Sequence, residues 1–187
     1  MKYAATLCLI AGLAASANAG VFSEVEDNNT LSLANDLGSF GEPGGSILVD
    51  GVIDADDVDW FGFTLEDSAS LSFFAVFAAG DSDGVMQIVT AGGDVIAFDD
   101  DSGIGLMPAI QIEDLDAGFY YIGLSGFGDT DASSVGSDDL LDGLDAAGAP
   151  HGESFGYKLS VGFTIVPAPG AMALMGMGGV MMTRRRR

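Results

Sequence analysis

Two short segments of the chain concentrate the side chains that bind hard cations. They are Glu24-Val25-Glu26-Asp27-Asn28-Asn29 and Asp54-Ala55-Asp56-Asp57-Val58-Asp59. Calcium takes six to eight oxygens, usually from several carboxylates plus amide or backbone carbonyls, and both segments offer that mixture. Composition points the same way: of 28 acidic residues, 22 are Asp and 6 are Glu. Asp forms turns and is a compact oxygen ligand, whereas Glu mostly decorates helices. The carboxylates therefore belong on loops, where they are either calcium ligands or solvated turn acids. A third cluster, Asp99-Asp100-Asp101, packs like charges that repel unless hydrated or metal-bound. It reads as a second cation site or as a strand-end turn.

Material for catalysis is thin. His151 is the sole histidine, and no Gly-x-Ser-x-Gly elbow places a nucleophile near it. Zinc wants more His or Cys than this chain supplies. Paired carboxylates of a glycosidase cannot be picked out of 28 acids. The expectation is a non-enzyme, with a secreted hydrolase using His151 as the least favoured reading. Trp60, Phe61, Tyr120 and Tyr121 could form an aromatic platform for a carbohydrate, although half of such residues in a sandwich must point inward.

Charge distribution narrows the class. All 28 acids lie between Glu24 and Glu153, and between Gly20 and Phe163 the only cation is Lys158. That body is near −27, which excludes a basic groove for nucleic acid. The 28 glycines exclude a coiled coil. The period of the apolar residues is two: Phe61, Phe63 and Leu65 share one face. Short apolar runs recur at 47–53, 59–65, 71–77, 85–89, 95–98, 110–112, 119–124 and 157–163, mostly bounded by Gly, Asp or Ser clusters. About eight strands with such turns predict an all-β fold, an antiparallel β-sandwich of jelly-roll type, over residues 20–163. Asn29 to Leu37 is expected to form one or two helical turns. Gly126 to Ser154 reads as a long acidic surface loop, serving calcium, a partner or solvation.

The two ends have their own signatures. Residues 1–19 form a secretory signal peptide: Lys2, an apolar stretch from Ala4 to Ala15, and the small-x-small Ala17-Asn18-Ala19, with cleavage by signal peptidase between Ala19 and Gly20. Cys8, the only cysteine, leaves with it, so the mature chain has no disulfide. At the other end, Gly162 to Thr183 carries no charge and is followed by Arg184-Arg185-Arg186-Arg187. An uncharged run ending in a basic cluster is a membrane segment with its tail on the cytoplasmic side. Only Gly170 to Met182 is densely apolar, which suits transient membrane insertion. Residues 164–187, with Val166-Pro167-Ala168-Pro169, the hydrophobic stretch and the arginines in order, resemble the PEP-CTERM sorting signal of exported bacterial proteins. Ala168 stands where Glu is most usual in that family, as in its VPAPG variant. The resemblance implies recognition by an exosortase-type processing enzyme and delivery to the cell surface or extracellular matrix. A retained single-span anchor is the alternative.

The body also resembles a known family. Asp50-Gly51-Val52-Ile53-Asp54 with Asp57 copies half of an EF-hand or dockerin loop, but Ser46 and Leu48 occupy its opening ligand positions. A better match is the bacterial pre-peptidase C-terminal domain. Glu24-x-Glu26-x-Asn28-Asn29 looks like its E-x-E-P-N-[ND] start, with Asp27 in place of Pro. Asp57-Val58-Asp59-Trp60-Phe61-Gly62-Phe63 looks like its D-x-D-[WY]-[FY]-x-F strand. Phe98-Asp99-Asp100-Asp101 looks like its strand-end aspartates, and Ala117-Gly118-Phe119-Tyr120-Tyr121-Ile122 like its A-G-x-Y-Y-[IV] strand. The likeness spans about Ser23 to Ser125 and resumes at Tyr157. It implies a β-sandwich with calcium held by Glu24, Glu26, Asn28, Asp57 and Asp59, with Asn29 and Asp54 next. The resulting expectation is an exported, non-enzymatic, calcium-binding protein of the cell surface or matrix that contacts extracellular polysaccharide or a surface protein. A carbohydrate- or protein-binding adhesion module, using exposed aromatics such as Trp60 or the acidic loop, is the alternative.

Overall fold

Strict alternation along Val58–Leu65 puts Phe61, Phe63 and Leu65 on one side and Val58 and Trp60 on the other, and every one of these is buried. A strand buried on both faces must sit inside a layered structure. The computed structural model describes residues 19–41, 43–79, 83–128 and 151–166. Among them are ten strands: β1 (Ala19–Ser23), β2 (Asn35–Phe40), β3 (Gly45–Ile53), β4 (Val58–Leu65), β5 (Ala69–Ala79), β6 (Gly84–Thr90), β7 (Val95–Asp99), β8 (Ala109–Leu115), β9 (Gly118–Gly126) and β10 (Phe155–Ile165).

The strands form two five-stranded sheets, ordered β1-β3-β10-β5-β8 and β2-β4-β9-β6-β7. Taken alone, β3 to β10 are the eight strands expected from the period-two runs. Their orders, β3-β10-β5-β8 and β4-β9-β6-β7, are those of a jelly roll with antiparallel neighbours. Two further strands make both sheets mixed. β1 adds parallel to β3, and β2 adds parallel to β4. The helical turns expected over Asn29 to Leu37 reduce to a single 3-10 turn, Leu31–Leu33, before the chain extends into β2. The backbone of this stretch satisfies its hydrogen bonds by joining a sheet edge, which a two-turn helix would not do as completely.

Between the sheets lies one apolar core. Phe40 stacks on Phe163 (4.5 Å between centroids) and on Phe63 (5.0 Å), and Tyr120 and Phe73 close around Phe63. Val49, Ile53, Met107, Phe155 and Tyr157 also belong to it. Burial of this many large side chains, each contributing about 1.5–3 kcal/mol, is the main driving force. A second cluster lies outside the β4 sheet, where Leu31 and Ala34 pack over Val58, Trp60, Val89 and Tyr121. The N-terminal segment therefore crosses from the edge of one sheet to the outer face of the other. β10 continues two residues beyond Phe163 to Ile165, and Val166 still bonds to Ser68. Residues 1–18, 129–150 and 167–187 lie outside the described residues. With them go most of the signal peptide and the acidic loop, and the sorting residues Pro167, Ala168, Pro169 and Arg184 to Arg187.

Candidate metal centre

The crossing point of the N-terminal segment gathers the acids. Beyond β1, the Glu24 N–H still bonds to the Asp50 carbonyl, so Glu24 is held beside β3. Four residues later the Trp60 N–H donates to the Asn28 carbonyl, which fixes Asn28 on β4. Asn35 braces the span from outside: its Oδ1 accepts from the Val25 N–H (2.8 Å) and its Nδ2 donates to the Val25 carbonyl (2.9 Å). Between these anchors the side chains of Glu24 and Glu26 meet those of Asp57 and Asp59 from the start of β4. One carboxylate oxygen from each of the four lies within 4.8 Å of all the others.

Each carboxylate has a distinct setting. Glu24 accepts from the Val52 N–H at 2.8 Å and from the Tyr157 hydroxyl at 3.3 Å. Asp59 is fully buried and accepts from the same Tyr157 hydroxyl at 2.7 Å. Asp57 is buried too, and its Oδ1 has no hydrogen-bond partner. Asn28 is fully buried, with its amide facing Asp59 and Glu26. In the orientation placed, its oxygen faces only acceptors. Turned over, its nitrogen would donate to Asp59 Oδ1 (3.1 Å) and Glu26 Oε2 (3.3 Å). Gly51 makes room for the arrangement, because a Cβ there would collide with Glu24 and Tyr157.

Electrostatics make the cluster costly without a counter-charge. A shared proton with Glu24, followed by burial and the charges of Glu24, Asp27 and Asp54, pushes Glu26 up to about 7. Burial, then the charge of Glu26, raises Asp57. Burial, then the charge of Glu24, raises Asp59 well above the ordinary carboxylate range. Burial beside Asp59 and Glu24 likewise raises the Tyr157 hydroxyl, which stays a donor. Lys158 gives no relief, since it pairs with Asp50 at 2.9 Å. Such a group of acids must hold protons or a cation. The donor set fits a hard cation: four carboxylates beside the Asn28 amide, with no sulfur or imidazole among them. The orphaned, buried Asp57 Oδ1 is what a cation beside it would resolve.

Of the other residues expected here, Asp54 stands at the rim. It is exposed, accepts from Ser154 Oγ (3.4 Å), and is not one of the four that converge. Asn29 follows Asn28, with a buried Oδ1 that lacks a partner. Ala19 and Gly20 open β1, and Val166 ends the described C-terminal stretch. Asp99 of the acidic triplet is a turn former: it accepts from the Ser102 N–H, the Ser102 hydroxyl and the Ala109 N–H.

Three residues near the site had no local sequence signal. Tyr157 reaches it from β10, and Ser125 Oγ donates to the Asp57 carbonyl at 2.9 Å. His151 also fastens the Asp57 loop. Its Nδ1 accepts from the Glu153 N–H (3.0 Å), which leaves Nε2–H to donate to the Asp57 carbonyl (3.1 Å). The His151 and Gly152 N–H groups both bond to the Ala55 carbonyl. Both ring nitrogens are engaged with backbone groups, so His151 braces the Asp57 loop in this structure. Trp60 corrects another expectation. It is fully buried, with its ring lying over Gly123, and cannot serve as an exposed platform.

No protein-family model matches the chain, and no curated protein matches it. Several solved structures are similar in fold. PliG of Aeromonas hydrophila, a periplasmic inhibitor of g-type lysozyme, is 14% identical, with 69% of this chain and 99% of that one covered and a TM-score of 0.44. The pre-peptidase C-terminal domain of a collagenase from Bacillus anthracis is 16% identical, with 68% and 93% covered and a TM-score of 0.41. CorA, a surface-associated copper-binding protein of Methylomicrobium album BG8, is 11% identical, with 68% and 98% covered and a TM-score of 0.38.

Proposed function

We propose that the chain is an exported, non-enzymatic β-sandwich whose N-terminal segment is tied to β4 by calcium, and that it works as a structural module at the cell surface or in the extracellular matrix. One observation carries the metal reading: Glu24, Glu26, Asp57 and Asp59 converge within 4.8 Å, two of them buried, with Lys158 engaged elsewhere. Calcium suits an all-oxygen set better than a softer metal does, and its flexible coordination tolerates a site split between a loop and a strand. Bound there, it would neutralise part of the cluster and fasten β1 and the 3-10 turn to the jelly roll. Melting the protein with calcium and with chelator tests this. At a calcium concentration about 100 times Kd, the gain is about 2.7 kcal/mol. For a domain of this size that is about 9 °C in Tm. No shift at millimolar calcium would sink the metal claim.

The addressing is read from the ends. Residues 1–19 direct export through signal peptidase. The hydrophobic stretch Gly170 to Met182 inserts transiently in the membrane, and an exosortase-type enzyme cuts the tail near the Val166-Pro167-Ala168-Pro169 motif. The mass of the mature C-terminus decides this, because a chain retaining Arg187 would be anchored instead of processed.

A further inference from the structure

We infer that the outer face of the β1-β3-β10-β5-β8 sheet carries a binding groove for a neutral glycan chain, separate from the metal centre. The register places Ser72 of β5 between Gly162 of β10 and Gln111 of β8, and pairs Ser70 with Thr164. Glu113 lies two residues beyond Gln111 on the same face of the edge strand. Together with Gly45, Leu71, Ile112 and Phe163, these six residues line a groove of about 340 Å³. Gly162 keeps it open beside Ser72: a Cβ there would come within 2.9 Å of Ser72 Oγ. The lining crosses four adjacent strands, β3 through β8, a span of about 14 Å. That is long enough for a short oligosaccharide lying across the sheet.

The chemistry selects the class of ligand. Three hydroxyls, one carboxamide and one carboxylate face the groove, and none of them makes a side-chain hydrogen bond among the described residues. Hydroxyls and carboxamides both donate and accept, and a carboxylate accepts from a pair of vicinal hydroxyls. Such a lining matches a polyol and gives little to a hydrocarbon. Anionic chains are disfavoured, because Glu113 is on the wall. Among the described residues the one cation of this face, Lys158, is paired with Asp50 about 13 Å along β10 from Gly162. Phe74, one row further along β5, is 40% exposed and offers an apolar face against which the C–H side of a sugar ring can stack. The buried Trp60 contributes nothing to this surface.

Native-gel affinity electrophoresis of the full chain, with calcium present, tests the groove. The gels contain hydroxyethylcellulose, mannan or dextran as neutral probes and alginate as the anionic one. At least one neutral polymer should retard the protein, and alginate should not. The double variant Gln111→Ala/Glu113→Ala changes two exposed side chains and should weaken that retardation about tenfold with Tm unchanged. Gly162→Val, which crowds Ser72 in the middle of the groove, should abolish it; if that variant fails to fold, the double variant carries the test alone. Absence of retardation by all three neutral polymers would overturn the proposal. So would retardation by alginate of equal strength, or full binding in the double variant.

Discussion

Consider the folded domain in chelator as the pH is raised from about 4.5 to about 7.5. In the unfolded chain its carboxyls titrate near 4. In the folded cluster Glu26 is pushed to about 7 by the proton it shares with Glu24, and burial raises Asp57 and Asp59. An acid whose folded pKa is raised holds its proton better in the folded state. Its contribution is therefore complete below the unfolded pKa and lost as pH rises through the folded value. Taken alone, the Glu26 shift is worth about 3.4 kcal/mol, which solvent screening at so exposed a site reduces to on the order of 1 kcal/mol. The more buried Asp57 and Asp59 act in the same direction, so the Glu26 share alone, about 3 °C in Tm, is a lower bound. Calcium inverts the sign. A cation favours the ionised carboxylates, so the folded pKa values fall below the unfolded ones, and stability is lost on acidification instead. Thermal melts by circular dichroism across this range, in chelator and in calcium, give two curves of opposite slope. Repulsion among the remaining acids is common to both, so their difference isolates the cluster. Asp59→Asn should flatten the chelator curve and cancel the calcium shift. A chelator Tm that stays level or rises with pH, or an unchanged slope in Asp59→Asn, would refute the reasoning.

Two further substitutions probe the scaffold. His151→Ala removes the bond to the Asp57 carbonyl and the acceptor for the Glu153 N–H; it should cost about 1–2 kcal/mol and weaken calcium binding severalfold by isothermal titration. Gly123→Val places its Cβ 2.7 Å from the Trp60 ring; it should cost about 1–3 kcal/mol by overpacking, seen as a lower Tm with the calcium shift intact.

The eight strands that the sequence announces are those whose side chains alternate between core and solvent or lie buried on both faces. β1 and β2 escape because their conformation is imposed by pairing with β3 and β4. Within 20–23 only Phe22 packs against the core. Asn35–Phe40 is rich in poor strand formers, and its core residues Leu37 and Phe40 are three apart. The register shift between Asp36 and Ser39, with Gly38 at φ 85°, breaks the period of two. The site divides in the same way. Glu24, Glu26, Asn28, Asp57 and Asp59 sit in two short acidic segments that sequence spacing exposes. Tyr157 and His151 act across 98 and 94 residues and carry no local mark. The aromatic run at Trp60 and Phe61 misleads for a related reason: alternation shows that the two rings face opposite ways, but not that Leu31 and Ala34 cover the outer one.

The most direct measurement is a calorimetric titration of the chelator-stripped protein with calcium, run beside the Asp57→Asn/Asp59→Asn variant. One calcium per chain in the parent, and none in the variant under the same conditions, is the expected result. A parent that takes up no calcium at millimolar concentration, or a variant that binds it as the parent does, would contradict the metal centre described here.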